Sequence, residues 1–246
     1  MTLSVEQITG GYTKVPVIKE ISFTVKPGEI CGLIGLNGAG KSTTIKHIVG
    51  LLHAFEGRIA INHISLATNQ EEYRRSLAFI PDSPILYEEL TFREHIELTA
   101  KAYGQDTEET YQRAYHLVEQ FHLTSKLDFY PAYFSKGMKQ KVLIVCALML
   151  DVPVYIIDEP FLGLDPLGIR TLLSCIREKK ECGASIVMST HVLDTAERFC
   201  DKFVILHEGK MLLSTTLEEL LSKTGEDRLE EAYFTLLENN GDGDEC

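Results

Sequence analysis

Along the first third of the chain apolar and polar positions alternate. Leu3 to Ile8 and Val17 to Val25 carry the period of two expected of half-buried strands. Pro27-Gly28 marks a turn, and Glu29 to Ile34 is a short apolar run that predicts a buried strand. A Gly-rich stretch follows it, and a helix is expected from about Ser42 to Leu51. Arg58 to Ile64 is read as a further strand pair. In the middle third the period changes. Thr91 to Tyr103, Glu108 to Phe121 and Ser135 to Leu150 place apolar residues at helical spacing, punctuated by Gly104 and Pro131. Strand and helix then alternate: Val154 to Ile157, Pro166 to Glu181, Ala184 to Ser189, Val192 to Phe199, Phe203 to His207. Such alternation predicts a parallel sheet covered by helices. Two short amphipathic helices are expected at Leu217 to Leu221 and Arg228 to Leu237, before an acidic tail.

This pattern predicts one α/β domain over residues 1–246, with a helical lobe at about 84–148 inserted into a sheet lobe. The C-terminal helices and tail occupy about 216–246. No repeat or low-complexity linker divides the 246 residues. The longest apolar run, Val142 to Leu150, is far below the roughly 20 residues that span a bilayer. The N-terminus lacks the basic start and apolar stretch of a signal peptide. Net charge is −12, and Gly225 to Cys246 supplies eight acidic residues against one arginine. That balance disfavours a nucleic-acid partner. The six cysteines form no C-x-x-C pair and read as buried free thiols.

Two local motifs carry chemistry. Gly35-Leu36-Asn37-Gly38-Ala39-Gly40-Lys41-Ser42, followed by Thr43, matches G-x-x-x-x-G-K-S/T between a strand and a helix. In such a loop the backbone N–H groups converge on phosphates and the helix N-terminus adds favourable partial charge. Lys41 is expected on the β- and γ-phosphates, Ser42 on Mg²⁺. The second motif is an apolar strand ending in Asp158-Glu159. Ligands of open α/β sheets gather at that edge. Asp158 is the expected Mg²⁺ carboxylate and Glu159 the expected base for the attacking water. Small-molecule kinases and GTPases share both elements.

Four further stretches separate this chain from those enzymes. Phe134-Ser135-Lys136-Gly137-Met138-Lys139-Gln140 resembles the signature of ABC transporter ATP-binding domains, usually written LSGGQ. Gly163-Leu164-Asp165 resembles their D-loop, and His191 in Ser189-Thr190-His191 resembles their switch histidine. Tyr12, 29 residues before Lys41, stands where that family stacks an aromatic on adenine, with Val17 beside it. Singly, Tyr12 reads equally as a turn aromatic, His191 and Ser135 as helix caps. In this order the resemblance covers roughly residues 3–215. The stretches Ile80 to Leu90, Phe134 to Lys141 and Tyr155 to Pro166 also look like the Ecs-type ATPases of Gram-positive bacteria.

The resemblance implies a P-loop ATPase fold of the ABC type: a mixed sheet core, an antiparallel β part and an inserted helical lobe. It implies ATP and Mg²⁺ as ligands and hydrolysis that drives a separate integral membrane subunit of the EcsB kind, in peptide export or protein secretion. The chain would be cytoplasmic, peripheral on the inner face of the cell membrane. Two copies would pack head to tail when ATP is bound, with Ser135, Gly137 and Met138 of one reaching the γ-phosphate held by the other. Catalysis would rest on Lys41, Glu159 and His191. Most of the family carries glutamine where this chain has Asp82, which is assigned to the metal site with Ser42 and Asp158; a solvent-facing cap of the turn is its plainer reading. A non-transport ABC ATPase with a regulatory role is the competing reading.

Overall fold

A computed structural model describes residues 2–241; the end of the acidic tail, from position 242 on, lies outside the described residues. Among the described residues nine strands form one mixed sheet, and it is the order of those strands that builds the site. The first two, β1 (Leu3–Gly10) and β2 (Ile18–Val25), pair antiparallel, with Leu3, Val5 and Ile8 turned into the core. β3 (Ile30–Ile34) is buried at every position, as a parallel strand covered on both faces must be. α1 (Lys41–Ile48) follows it. β4 (Glu56–Ile61) pairs with β1, Leu3 opposite Ile61, and completes the antiparallel part.

The strand pair expected over Arg58 to Ile64 is therefore one strand and a turn. Asn62 and His63 take left-handed backbone angles, and the chain folds back only far enough for a single bridge between Ile61 and Ile64. Three strands or α-helices escaped the periodicity. α2 (Gln70–Arg75) is held by Asn69, whose side chain accepts the Glu72 N–H, and one turn and a half is too short to show a 3.6-residue period. β5 and β9, described below, are the others.

β5 (Leu77–Ile80) leads into three helices, α3 (Phe92–Tyr103), α4 (Glu108–Gln120) and α5 (Lys136–Leu148). Each begins at a Thr or Ser whose side chain accepts a first-turn N–H: Thr91, Thr107 and Ser135. Their apolar faces, including Phe92, Ile96, Leu117, Phe121 and Val145, pack into one core with Tyr155 and Ile157. The chain then returns to the sheet through β6 (Val154–Asp158), α6 (Pro166–Glu181), β7 (Ser185–Ser189), α7 (Leu193–Phe199) and β8 (Lys202–His207). β9 (Lys210–Thr215) turns back antiparallel to β8 through Glu208 and Gly209, both left-handed, and touches β2 through Lys19 and Lys210. It joins the antiparallel part to the parallel one. The full order is β4-β1-β2-β9-β8-β3-β7-β6-β5.

α8 (Leu217–Thr224) and α9 (Leu229–Gly241) end the described chain and pack with Ile34, Ala196 and Phe203 in a separate apolar cluster. Among the described residues no helix is long and apolar enough to cross a membrane. The described cysteines are all unpaired. Cys31, Cys146 and Cys175 are buried as expected, whereas Cys182, just past the end of α6, is exposed.

Candidate functional site: a cleft at the carboxyl ends of three parallel strands

β3, β7 and β6 are neighbours and run the same way, so the segments that leave their carboxyl ends meet. β3 delivers the Gly-rich loop, β7 delivers His191 and β6 delivers Asp158 and Glu159. The cleft they enclose measures about 480 Å³. It is lined by Val17, Asn37, Gly38, Gly40, Lys41, Ser42 and Thr43, together with Asp82, Glu159 and His191. Leu36 and Leu162 complete the wall. Ala39 is buried beneath the loop.

The loop turns into α1 at Gly40, which has φ 104° as the helix N-cap. A side chain would be strained at that angle and would also meet Ile18. The Lys41 side chain is almost wholly buried and curls back into its own loop. Its Nζ donates to the Gly35 carbonyl at 2.8 Å and to the Leu36 carbonyl at 3.3 Å, and lies 3.9 Å from Oε1 of Glu159. A cation so placed is neutralised by groups that phosphate oxygens can replace.

Asp158 is only 3% exposed. Burial is the main force holding its carboxyl above the usual range. Hydrogen bonds from Ser189 and Ser42 pull the other way, while the negative charges of Asp82 and Glu159 raise it further. Ser189 Oγ donates to Asp158 Oδ1 at 2.5 Å and accepts the Glu159 N–H at 2.9 Å; Ser42 Oγ donates to the same Oδ1 at 3.4 Å. Ser189 is the residue that sequence reasoning passed over. Its only trace is a hydroxyl that closes the apolar run Ile186 to Met188, and its role comes from its register opposite Asp158.

Glu159 takes φ 45°, a left-handed angle costly for a residue with a side chain. That turn directs its carboxylate between the Lys41 ammonium and the His191 ring. Oε2 accepts from Nδ1 of His191 at 2.8 Å, and Oε1 faces Lys41. Asp82, just past β5, lines the same cleft and adds its charge to the Asp158 environment.

Several expected residues are not brought into this cleft. Tyr12 is 56% exposed; its hydroxyl accepts from Lys46 Nζ at 3.1 Å, and the same ammonium lies 5.1 Å from the ring centre. The Lys46 hydrogen bond lowers the phenol below its ordinary pKa. Ser135, Gly137 and Met138 lie at the start of α5 and do not line the cleft of their own chain. There Gly137 packs against Gly163, and Lys141 of α5 binds Asp165 at 2.7 Å.

The site can be tested for the groups the fold calls for. A Gly-rich loop at a helix N-terminus with a replaceable lysine suits a nucleotide triphosphate. Among the described residues no three His, Cys, Asp or Glu side chains cluster as a metal cage. Ser42 with one or two carboxylates nevertheless suits Mg²⁺, which keeps waters and shares phosphate oxygens instead of filling an all-protein cage.

The fold and cleft define a P-loop ATPase of the ABC type, with its antiparallel β part and helical region. The family model for ABC transporters matches residues 18–162, more than half of the chain, and the chain belongs to that family as an ATP-binding subunit whose ATP hydrolysis is coupled to transport. It is 52% identical over 236 residues to the ABC-type transporter ATP-binding protein EcsA of Bacillus subtilis, covering 95% of this chain and 96% of that one. It is 32% identical to the SkfA peptide export ATP-binding protein SkfE of the same organism, over 85% and 87% of the two chains. A solved structure described as the ATP-binding subunit of an ABC transporter superimposes with a TM-score of 0.93 at 51% identity, covering 96% of this chain and all of the other. Subunits of this family work with membrane permease subunits.

Proposed function

We propose that the chain binds MgATP in the cleft and hydrolyses it to drive an exporter of peptides or secreted protein, through an integral membrane partner of the EcsB kind. The observation that carries the catalytic part is the placement of Glu159. It follows Asp158 directly, and its carboxylate sits between Lys41 and His191 at the mouth of the phosphate loop.

In this reading Lys41 leaves the Gly35 and Leu36 carbonyls and pairs with the β- and γ-phosphates. Ser42, Asp158 and Asp82 would hold Mg²⁺, which when bound neutralises charge on the phosphate oxygens. Glu159 orients the attacking water and takes its proton, and His191 fixes the carboxylate that does so. Asn37, Gly38, Ala39, Gly40 and Thr43 supply the phosphate cradle, Val17 one wall of the nucleotide pocket. Tyr12 must shed Lys46 before it can stack on adenine.

Two copies complete the site. That the chain's own Ser135, Gly137 and Met138 stand outside its cleft supports their acting on the nucleotide of a partner copy. ATP binds the closed dimer better and so shifts the equilibrium towards it. The stretch from Asp82 to Leu90 then passes the movement to the membrane subunit. It begins at the cleft and carries Ile85, 83% exposed, and the exposed Tyr87. Docking there would hold the chain at the inner face of the cell membrane.

The test is to purify the tagged chain from membranes and identify what accompanies it. A multispanning subunit that stimulates its ATPase is expected. Recovery with ribosomes instead, and no membrane subunit, would move the assignment to a non-transport ABC ATPase.

A further inference from the structure

A second cleft, of about 550 Å³, lies beside the first and shares Leu36, Asn37 and His191 with it. Its far wall is α9, which contributes Glu230, Tyr233 and Phe234. α9 follows every motif of the ATPase, yet it is fastened to the segment behind His191. Arg228, just before it, pairs with Asp194, and its first residue, Leu229, donates its N–H to Glu197 Oε2 at 2.8 Å.

Tyr233 is 2% exposed, and its hydroxyl forms no well-made hydrogen bond. Burial raises the phenol above its ordinary pKa, and the Leu36 main chain opposes that rise. Leu36 and Tyr233 line the same cleft, and of the Leu36 main-chain groups only the N–H can donate to the phenol oxygen. In the same peptide region the Leu36 carbonyl is engaged by Lys41. When Lys41 turns to a phosphate, the Leu36 carbonyl loses one of its two ties and keeps the Ala39 N–H at 3.1 Å.

We propose that Tyr233 is a positioning residue for nucleotide binding: its hydroxyl oxygen accepts the Leu36 N–H as the loop closes on the phosphates. α9 thereby holds the first turn of the loop and the segment behind His191 as one unit. A buried hydroxyl without a partner is unfavourable. Its pairing in the closed loop favours the nucleotide-bound form without touching the nucleotide. The proposal rests on the reading of the first cleft as an ATP site.

The test is Tyr233→Phe in the full chain, which keeps the ring and removes the oxygen. Thermal midpoints are measured with and without MgATP, beside steady-state kinetics. Because the hydroxyl is unpaired in the resting form, the nucleotide-free midpoint is expected to stay level or rise. The MgATP-induced rise should shrink, and the KM for ATP should increase about 3- to 10-fold, the worth of one hydrogen bond, with kcat within about twofold. Tyr233→Ala, which also removes the ring, should in contrast lower the nucleotide-free midpoint. An unchanged KM in Tyr233→Phe would overturn the proposal. So would a lower nucleotide-free midpoint in that variant with KM unmoved, which is the mark of packing alone. The parent chain's own MgATP response reads the nucleotide site separately, and its absence would overturn both readings.

Discussion

Gly137 and Gly163 of the same chain lie in contact: a Cβ at Gly137 would run into the Gly163 carbonyl oxygen. The start of α5 and the segment after Glu159 are therefore packed as one piece, and the Lys141–Asp165 ion pair ties them a second time. A glycine at position 137 serves its own chain as well as any partner.

That contact alters what substitution at this position reports. Gly137→Asp should reduce ATPase at least about tenfold, as should Lys41→Ala. Mixed, the two chains should recover activity above the sum of the separate values, because one heterodimer site keeps an intact loop and an intact signature. Recovery should stay below half of the parent level, since the displaced Gly163 segment belongs to the chain with the working loop. ATPase assays across mixing ratios check this, and a strictly additive mixture would remove the head-to-tail dimer.

Glu159→Gln should keep ATP binding and lose turnover by about 10²–10⁴, the usual cost of a missing general base. Glutamine can keep the His191 contact, so the loss isolates proton transfer from architecture. The variant should accumulate as an ATP-bound dimer in size-exclusion chromatography. Steady-state turnover near the parent value would remove Glu159 from the catalytic role.

Asp82 lines the cleft with Glu159, and the charges of both act on the buried Asp158. Asp82→Asn should leave ATP affinity without Mg²⁺ unchanged or improved and should weaken the Mg²⁺ dependence of hydrolysis several-fold. Asp82→Gln should keep substantial ATPase and alter stimulation by the membrane subunit. The decisive measurement is a Mg²⁺ titration of parent and Asp82→Asn; superimposable curves would place Asp82 beyond the metal's reach.

His47, on α1 behind the loop, is buried with Nε2 unpaired against Gly10 and Nδ1 3.2 Å from the Leu52 carbonyl. Burial lowers its pKa below the ordinary value; the Leu52 carbonyl opposes this and nearby His53 adds to it. The unfolded chain thus binds the proton more readily than the folded one. Stability contributed by neutral His47 is full above the unfolded value, about 6.5, and is lost as pH falls below it. Thermal midpoints should drop between pH 7 and 5, and His47→Gln should flatten that slope whatever its absolute stability. An equally steep slope in the variant would assign the acid sensitivity elsewhere.

A chain cut after Asn239 should retain parent ATPase within about twofold, because α9 keeps Tyr233 and its ties to α7. Cutting before α9 should impair nucleotide binding. Comparing KM for ATP in the two truncations separates the tail from the helix, and a large loss in the shorter cut would give the tail a role of its own.

The sequence by itself determined the parts whose chemistry is contiguous. The phosphate loop is legible because its glycines, Lys41 and Ser42 must follow one another between a strand and a helix. Asp158-Glu159 is legible because an apolar strand has to end where its carboxylates begin, and α3 to α5 because apolar faces recur at helical spacing. The tertiary structure alone decided what lies between distant segments. Ser189 serves Asp158 only because β7 runs beside β6 in that register. Gly137 is confined by Gly163, Tyr12 is bonded to Lys46, and α9 shares a cleft with Leu36. Such contacts follow from which strands and helices become neighbours, and that choice is made by burial summed over the whole sheet, leaving no periodic mark on the residues that meet.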